Sequence, residues 1–91
     1  MSEINENKRE LLKNNMVKAL PVLRTRLNMT QDELAKRIGI TRQTLIKIEA
    51  GKTSISWITF LALYVYFNSY PETSILLPGL GIDKKELHDN M

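Results

Sequence analysis

The chain contains no cysteine and a single histidine, His88, among its 91 residues. Without thiols there is no disulfide, thiolate zinc site, iron–sulfur cluster or cysteine nucleophile, and one imidazole cannot build a histidine-rich metal site. Long apolar runs are missing as well. The most apolar stretch, residues 57–67, is eleven residues with one Thr among them, against about twenty for a helix that spans a bilayer. The opening residues MSEINENKRE are polar and carry no apolar signal segment. No phosphate loop or paired-carboxylate pattern is present. These absences predict a cytoplasmic protein that is not an enzyme, has no membrane partner and needs no metal or organic cofactor.

Of the residues present, 43% are hydrophobic and 25% charged, enough apolar content for one globular domain. The net charge of +3 is unevenly spread. Residues 1–53 hold 11 Lys/Arg against 6 Asp/Glu, whereas residues 54–91 hold 2 against 4. The first part is therefore a candidate for a polyanionic partner and the second is not.

Residues 1–15 are polar and Asn-rich, with Leu11 and Leu12 the main apolar pair. They read as a flexible or weakly helical N-terminal arm. Its Lys8, Arg9 and Lys13 are candidates to reach a phosphate backbone or minor groove, a solvated arm being the alternative. A domain over residues 16–77 and a C-terminal tail over 78–91 follow. Val17, Leu20, Leu23, Arg24 and Leu27 have helical spacing, interrupted by Pro21, so the first helix either starts near Leu20 or bends there.

Thr30-Gln31-Asp32-Glu33 has the form of a capping box, which predicts a second helix ending at Gly39. Thr41 caps a third helix, with Leu45 and Ile48 inward and Gly51 past its end. Ser54 or Ser56 caps a fourth, running to about Phe67, with Asn68 a left-handed cap. Trp57, Phe60, Leu61, Tyr64 and Phe67 form its core stripe. Pro71 opens a short fifth helix over residues 71–77. No segment alternates with period two, so the chain is read as all-α.

Two short helices around a tight glycine turn, with Ala35 at their closest approach, then Gly39, then Leu45, meet the spacing of a helix-turn-helix. The outer face of the third helix carries Arg42, Gln43 and Lys47. Arg or Lys donates to guanine O6 and N7, and Gln pairs with adenine N6 and N7, so such a face suits the major groove. Thr41, Thr44 and Lys52 are phosphate candidates. Ile46 is either a contact to a thymine methyl or a half-buried edge residue.

The run LRTRLNMTQDELAKRIGITRQTLIKIEAGK, residues 23–52, resembles the Cro/CI/Xre family of phage-repressor-like helix-turn-helix proteins. The likeness rests on Thr30-Gln31 followed by Leu34-Ala35, then Gly39-Ile40-Thr41, then Leu45, Ile48 and Glu49 before Gly51. With its flanks it covers residues 17–76.

The resemblance implies a compact five-helix, lambda-repressor-like domain that binds double-stranded DNA, usually as a homodimer, and regulates transcription. It gives Gln31 the role of a backbone-clamping glutamine, with a phosphate and the Gln43 side chain as partners. It pairs Arg24 with Glu49 as a structural ion pair. Ile58, Ala62, Val65 and Tyr66 are apolar where family members often carry polar residues. They predict a homodimer interface, unless the tail or the N-terminal arm covers them. The expected role is a repressor on a near-palindromic operator. The alternative is an antitoxin-type module with a toxin as partner, docked on Ile75, Leu76, Leu77, Leu80 and Ile82.

Overall fold

The computed structural model describes the backbone of residues 2–91 and the side chains of residues 6–91. Helix α1 runs through Ser2–Arg26, α2 through Gln31–Ile38, α3 through Arg42–Glu49, α4 through Trp57–Asn68 and α5 through Pro71–Ser74. A 3-10 turn at Pro78–Leu80 and a last helix, α6, at Lys84–Asp89 complete the chain. There is no strand among the described residues, and none of their helices is long and apolar enough to cross a membrane.

Local chemistry sets most of the boundaries. Thr30 and Glu33 form a reciprocal capping box, with 3.1 Å and 2.9 Å hydrogen bonds. The Thr41 hydroxyl accepts from the Thr44 N–H, and the Ser56 hydroxyl from the Thr59 N–H. Ser56, not Ser54, therefore starts α4. Gly39 adopts φ 86°, and both it and Ile40 donate to the Ala35 carbonyl. A positive φ is open to glycine at no steric cost.

Pro21 lies inside α1, which neither starts nor stops there. The residue is exposed, so water can serve the carbonyl whose N–H partner proline lacks. The left-handed asparagine is Asn28, at φ 56°, and not Asn68, which is the last residue of α4. Asn28 ends α1 and lets Met29 donate back to the Arg24 carbonyl at 2.9 Å.

The largest difference from the sequence reading is at the two ends. Leu12 and Met16 are buried beside Ala19, Leu20 and Leu23, one stripe along a 25-residue α1. Leu11, the other half of the expected apolar pair, is 53% exposed. The second half of the expected arm is thus part of the core helix, because its apolar residues continue the α1 stripe. The expected tail is built in too. Ile82 and Leu87 are buried, each stabilising by about 1.5–3 kcal/mol relative to an exposed side chain.

Polar bonds join these ends. Asn15 donates to the Gly81 carbonyl at 3.0 Å, and Arg9 donates to the Asn90 carbonyl at 2.9 Å. The Arg9 guanidinium lies 4.7 Å from the centre of the Trp57 ring. The five expected helices are therefore joined by a sixth. The fifth is shorter than expected, ending at Ser74.

Under α1 lie Leu34, Ala35, Leu45 and Ile48 of the helix-turn-helix, with Phe60, Leu63, Tyr64 and Phe67 of α4. Leu63 takes the core place expected of Leu61. Trp57 and Leu61 are only half-buried, at the core's edge.

Candidate nucleic-acid interface

Burial of Leu45 and Ile48 fixes which side of α3 faces out. The opposite side exposes Arg42, Gln43, Thr44, Ile46 and Lys47. Ile46 is 37% exposed, at the margin of a half-buried edge residue, with part of its side chain open on this face. No acidic residue stands in the first turn of α3. Among the described residues, Arg42, Lys47 and Lys52 take part in no ion pair, whereas Lys8, Lys13, Arg24 and Lys36 do. The helix end is also the positive end of its dipole. A polyanion approaching the α3 N-terminus meets Arg42 and first-turn N–H donors, while Lys47 and Lys52 lie toward the other end of the helix.

The two threonines divide the work. Thr41 accepts from the Thr44 N–H and donates its own hydroxyl proton to the Thr44 oxygen at 2.8 Å. Its hydroxyl is committed to the cap. The Thr44 hydroxyl proton remains available to an external acceptor. Lys52 follows Gly51, whose φ of 74° turns the chain out of α3. The Lys52 N–H donates to the Lys47 carbonyl at 2.9 Å, which leaves the side chain in solvent.

Behind this surface Arg24 holds Glu49 through two hydrogen bonds, Nε to Oε2 at 2.8 Å and Nη2 to Oε1 at 2.9 Å. Both side chains are largely out of solvent. The third arm of the guanidinium donates to the Met29 carbonyl at 3.1 Å. Gln31 is tied to the same carboxylate, its Nε2 donating to Glu49 Oε1 at 3.0 Å. Its partner in the fold is thus Glu49, where Gln43 was expected. A buried carboxylate with spare lone pairs outcompetes an exposed amide. Nothing in the spacing of Gln31 and Glu49, 18 residues apart, announces the contact. Arg24, Thr30, Gln31, Asp32 and Arg42 line one open cleft between α2 and α3.

Glu33 sits below its ordinary carboxylate pKa. The Thr30 backbone N–H is the main cause, followed by the Thr30 hydroxyl. Burial raises Tyr66 above the usual phenol range, helped by its hydrogen bond with Tyr70.

A family model described as helix-turn-helix matches residues 23–72, more than half of the chain. The chain belongs to the Cro/CI/Xre helix-turn-helix family. Within it, an HTH-type transcriptional regulator from Methanothermobacter thermautotrophicus is 54% identical over 35 residues, 38% of this chain and 51% of the relative. One from Archaeoglobus fulgidus is 55% identical over 29 residues, 32% of this chain and 41% of the relative. The chain thus matches about half or less of the length of these relatives. No solved structure matches it significantly.

Away from the helix-turn-helix, α4 leaves an apolar face uncovered. Ile58 is 73% and Val65 67% exposed, and Ala62 between them is exposed too. Neither the described part of α1 nor the tail covers them, because Met16, Ile82 and Leu87 are used inside the core. Tyr66 is half-buried and donates to the Met29 sulfur, so it borders that face. The arm's cations are also spent internally: Lys8 lies 3.6 Å from Glu86, Arg9 serves the C-terminus, and Lys13 pairs with Glu10. His88 is exposed.

Proposed function

We propose that this protein binds double-stranded DNA sequence-specifically and regulates transcription as a repressor. The observation that carries the reading is α3 itself. Arg42, Gln43 and Lys47 stand exposed on a short capped helix whose other face is buried, in a family of helix-turn-helix proteins. That helix would enter the major groove, with Gln43 and a basic residue on base edges. Gln31, Thr44 and Lys52 would hold phosphates, and Thr41 would hold the helix start. Occupying an operator excludes polymerase, with no chemical step and no cofactor.

The exposed face of α4 supports a homodimer through Ile58, Ala62 and Val65, with Tyr66 at its rim. A two-fold pair would present two α3 helices about 34 Å apart and select a near-palindromic site. The antitoxin reading is weaker, because Leu77 and Ile82 of its docking surface are buried and only Ile75 is fully open.

Selection of bound sites from random duplex DNA tests the proposal. A recurring two-fold motif is the expected result. Failure to enrich any motif at low salt would refute sequence-specific binding.

A further inference from the structure

Glu49 meets three donors at one carboxylate: Arg24 Nε, Arg24 Nη2 and Gln31 Nε2. Its ion pair with Arg24 accounts for the first two. The third, from the opening residue of α2, is not needed to neutralise the charge. We propose that Glu49 is a positioning residue for DNA binding, holding the Gln31 amide with its nitrogen ready for a phosphate. This rests on the reading that Gln31 contacts the DNA backbone.

The chemistry follows from the donor inventory. A carboxylate only accepts, so the Gln31 amide must turn its NH2 group, not its oxygen, toward Glu49. One N–H is used at 3.0 Å. The second N–H is left for another acceptor, and a phosphate oxygen only accepts. An unheld glutamine presents nitrogen or oxygen with similar ease, and it loses rotamer freedom when it binds. Held by Glu49, the amide is already the right way round. Arg24, anchored on Met29 as well, keeps the carboxylate itself still.

The variant Glu49→Gln separates this role from plain electrostatics. Removing an acid from a DNA-binding face strengthens attraction for phosphate. It also leaves the Arg24 charge without its counter-charge. Positioning predicts the opposite sign. The substituted side chain offers one acceptor oxygen, which Arg24 retains, and an NH2 that turns the Gln31 amide over.

The experiment measures binding to a mixed-sequence DNA duplex, since phosphate contacts need no operator. Thermal melts at the binding temperature verify the fold. Glu49→Gln is expected to weaken binding by roughly tenfold, as Gln31→Ala does, with the double variant no weaker than either. The dependence on salt is expected to stay as in the wild type, because an amide releases no counterion. Equal or tighter binding by Glu49→Gln, or losses that multiply in the double variant, overturns the proposal.

Wild-type NMR decides the matter if Glu49→Gln does not fold. Of the two Gln31 side-chain amide protons, one is expected to be shielded from exchange in the free protein, and only the other to shift when duplex is added. Two freely exchanging protons, or no shift, overturns it. A wild type that binds no duplex at all refutes DNA binding itself, which the same titration shows first.

Discussion

The Arg24 guanidinium grips the Glu49 carboxylate through two hydrogen bonds of 2.8 and 2.9 Å, one to each oxygen, so the end of α1 is fastened to the end of α3. The remaining Arg24 nitrogen holds the Met29 carbonyl in the loop before α2. One side chain thus sets the position of the helix-turn-helix against the rest of the core. The pair is shielded, so breaking it costs more than breaking a surface ion pair, even though desolvation offsets much of its attraction. Removing either partner leaves the other charge with little solvent to serve it.

Replacing Arg24 with Met is therefore expected to cost about 3 kcal/mol, and the Arg24→Met, Glu49→Leu double variant less than the sum of the two singles. Urea unfolding of the four proteins measures the coupling. Strict additivity with small effects would show that the two charges act independently.

Gln43 and Lys52 are expected to fail in different ways. Gln43→Ala should weaken specific binding by about 1–3 kcal/mol and leave binding to random duplex nearly unchanged. Lys52→Ala should weaken both and lower the salt dependence by about one unit. Titrations against a selected site and a scrambled one, at several salt concentrations, separate the two. Equal losses on both DNAs for Gln43→Ala would remove it from base recognition.

Val65 stands 67% exposed on the outer face of α4. Val65→Asp should leave helix content unchanged, since a solvent-facing substitution rarely costs more than about 0.5 kcal/mol. It should nonetheless convert a dimer to a monomer in sedimentation and weaken operator binding. A wild type that sediments as a monomer at high concentration and occupies an asymmetric single site would end the dimer model.

Glu33 supplies a pH prediction. Its folded pKa is below the ordinary carboxylate value because the Thr30 N–H and hydroxyl stabilise the charged form. The capping carboxylate therefore adds stability above the ordinary carboxylate range and loses it as pH falls through the lowered value. Glu33→Gln keeps the shape of the box without the charge. Its melting temperature should fall less than that of the wild type between about pH 7 and about pH 3. Parallel curves for the two proteins would mean that the box draws nothing from the charge.

The sequence by itself determined whatever acts within a few residues. The caps at Thr30 and Thr41, the turn at Gly39 and the inward Leu45 and Ile48 follow from hydrogen bonds and periodicities confined to one helix turn or two, whereas the choice of Ser56 over Ser54 does not. The outward position of Arg42, Gln43 and Lys47 follows with them, because a helix that buries one face exposes the other. Tertiary structure decided everything that depends on which surfaces meet. Leu12 and Met16 give a polar segment just enough apolar stripe to pack, and Ile82 and Leu87 do the same for the tail. Such short stripes are worth something only once α1 supplies a surface to bury them. Asn28 takes the left-handed turn that Asn68 does not, because α1 must reverse there to bring Arg24 beside Met29. Gln31 meets Glu49 rather than Gln43 for the same reason: the two lie 18 residues apart, and only the packing of α2 against α3 places an amide within 3.0 Å of a shielded carboxylate.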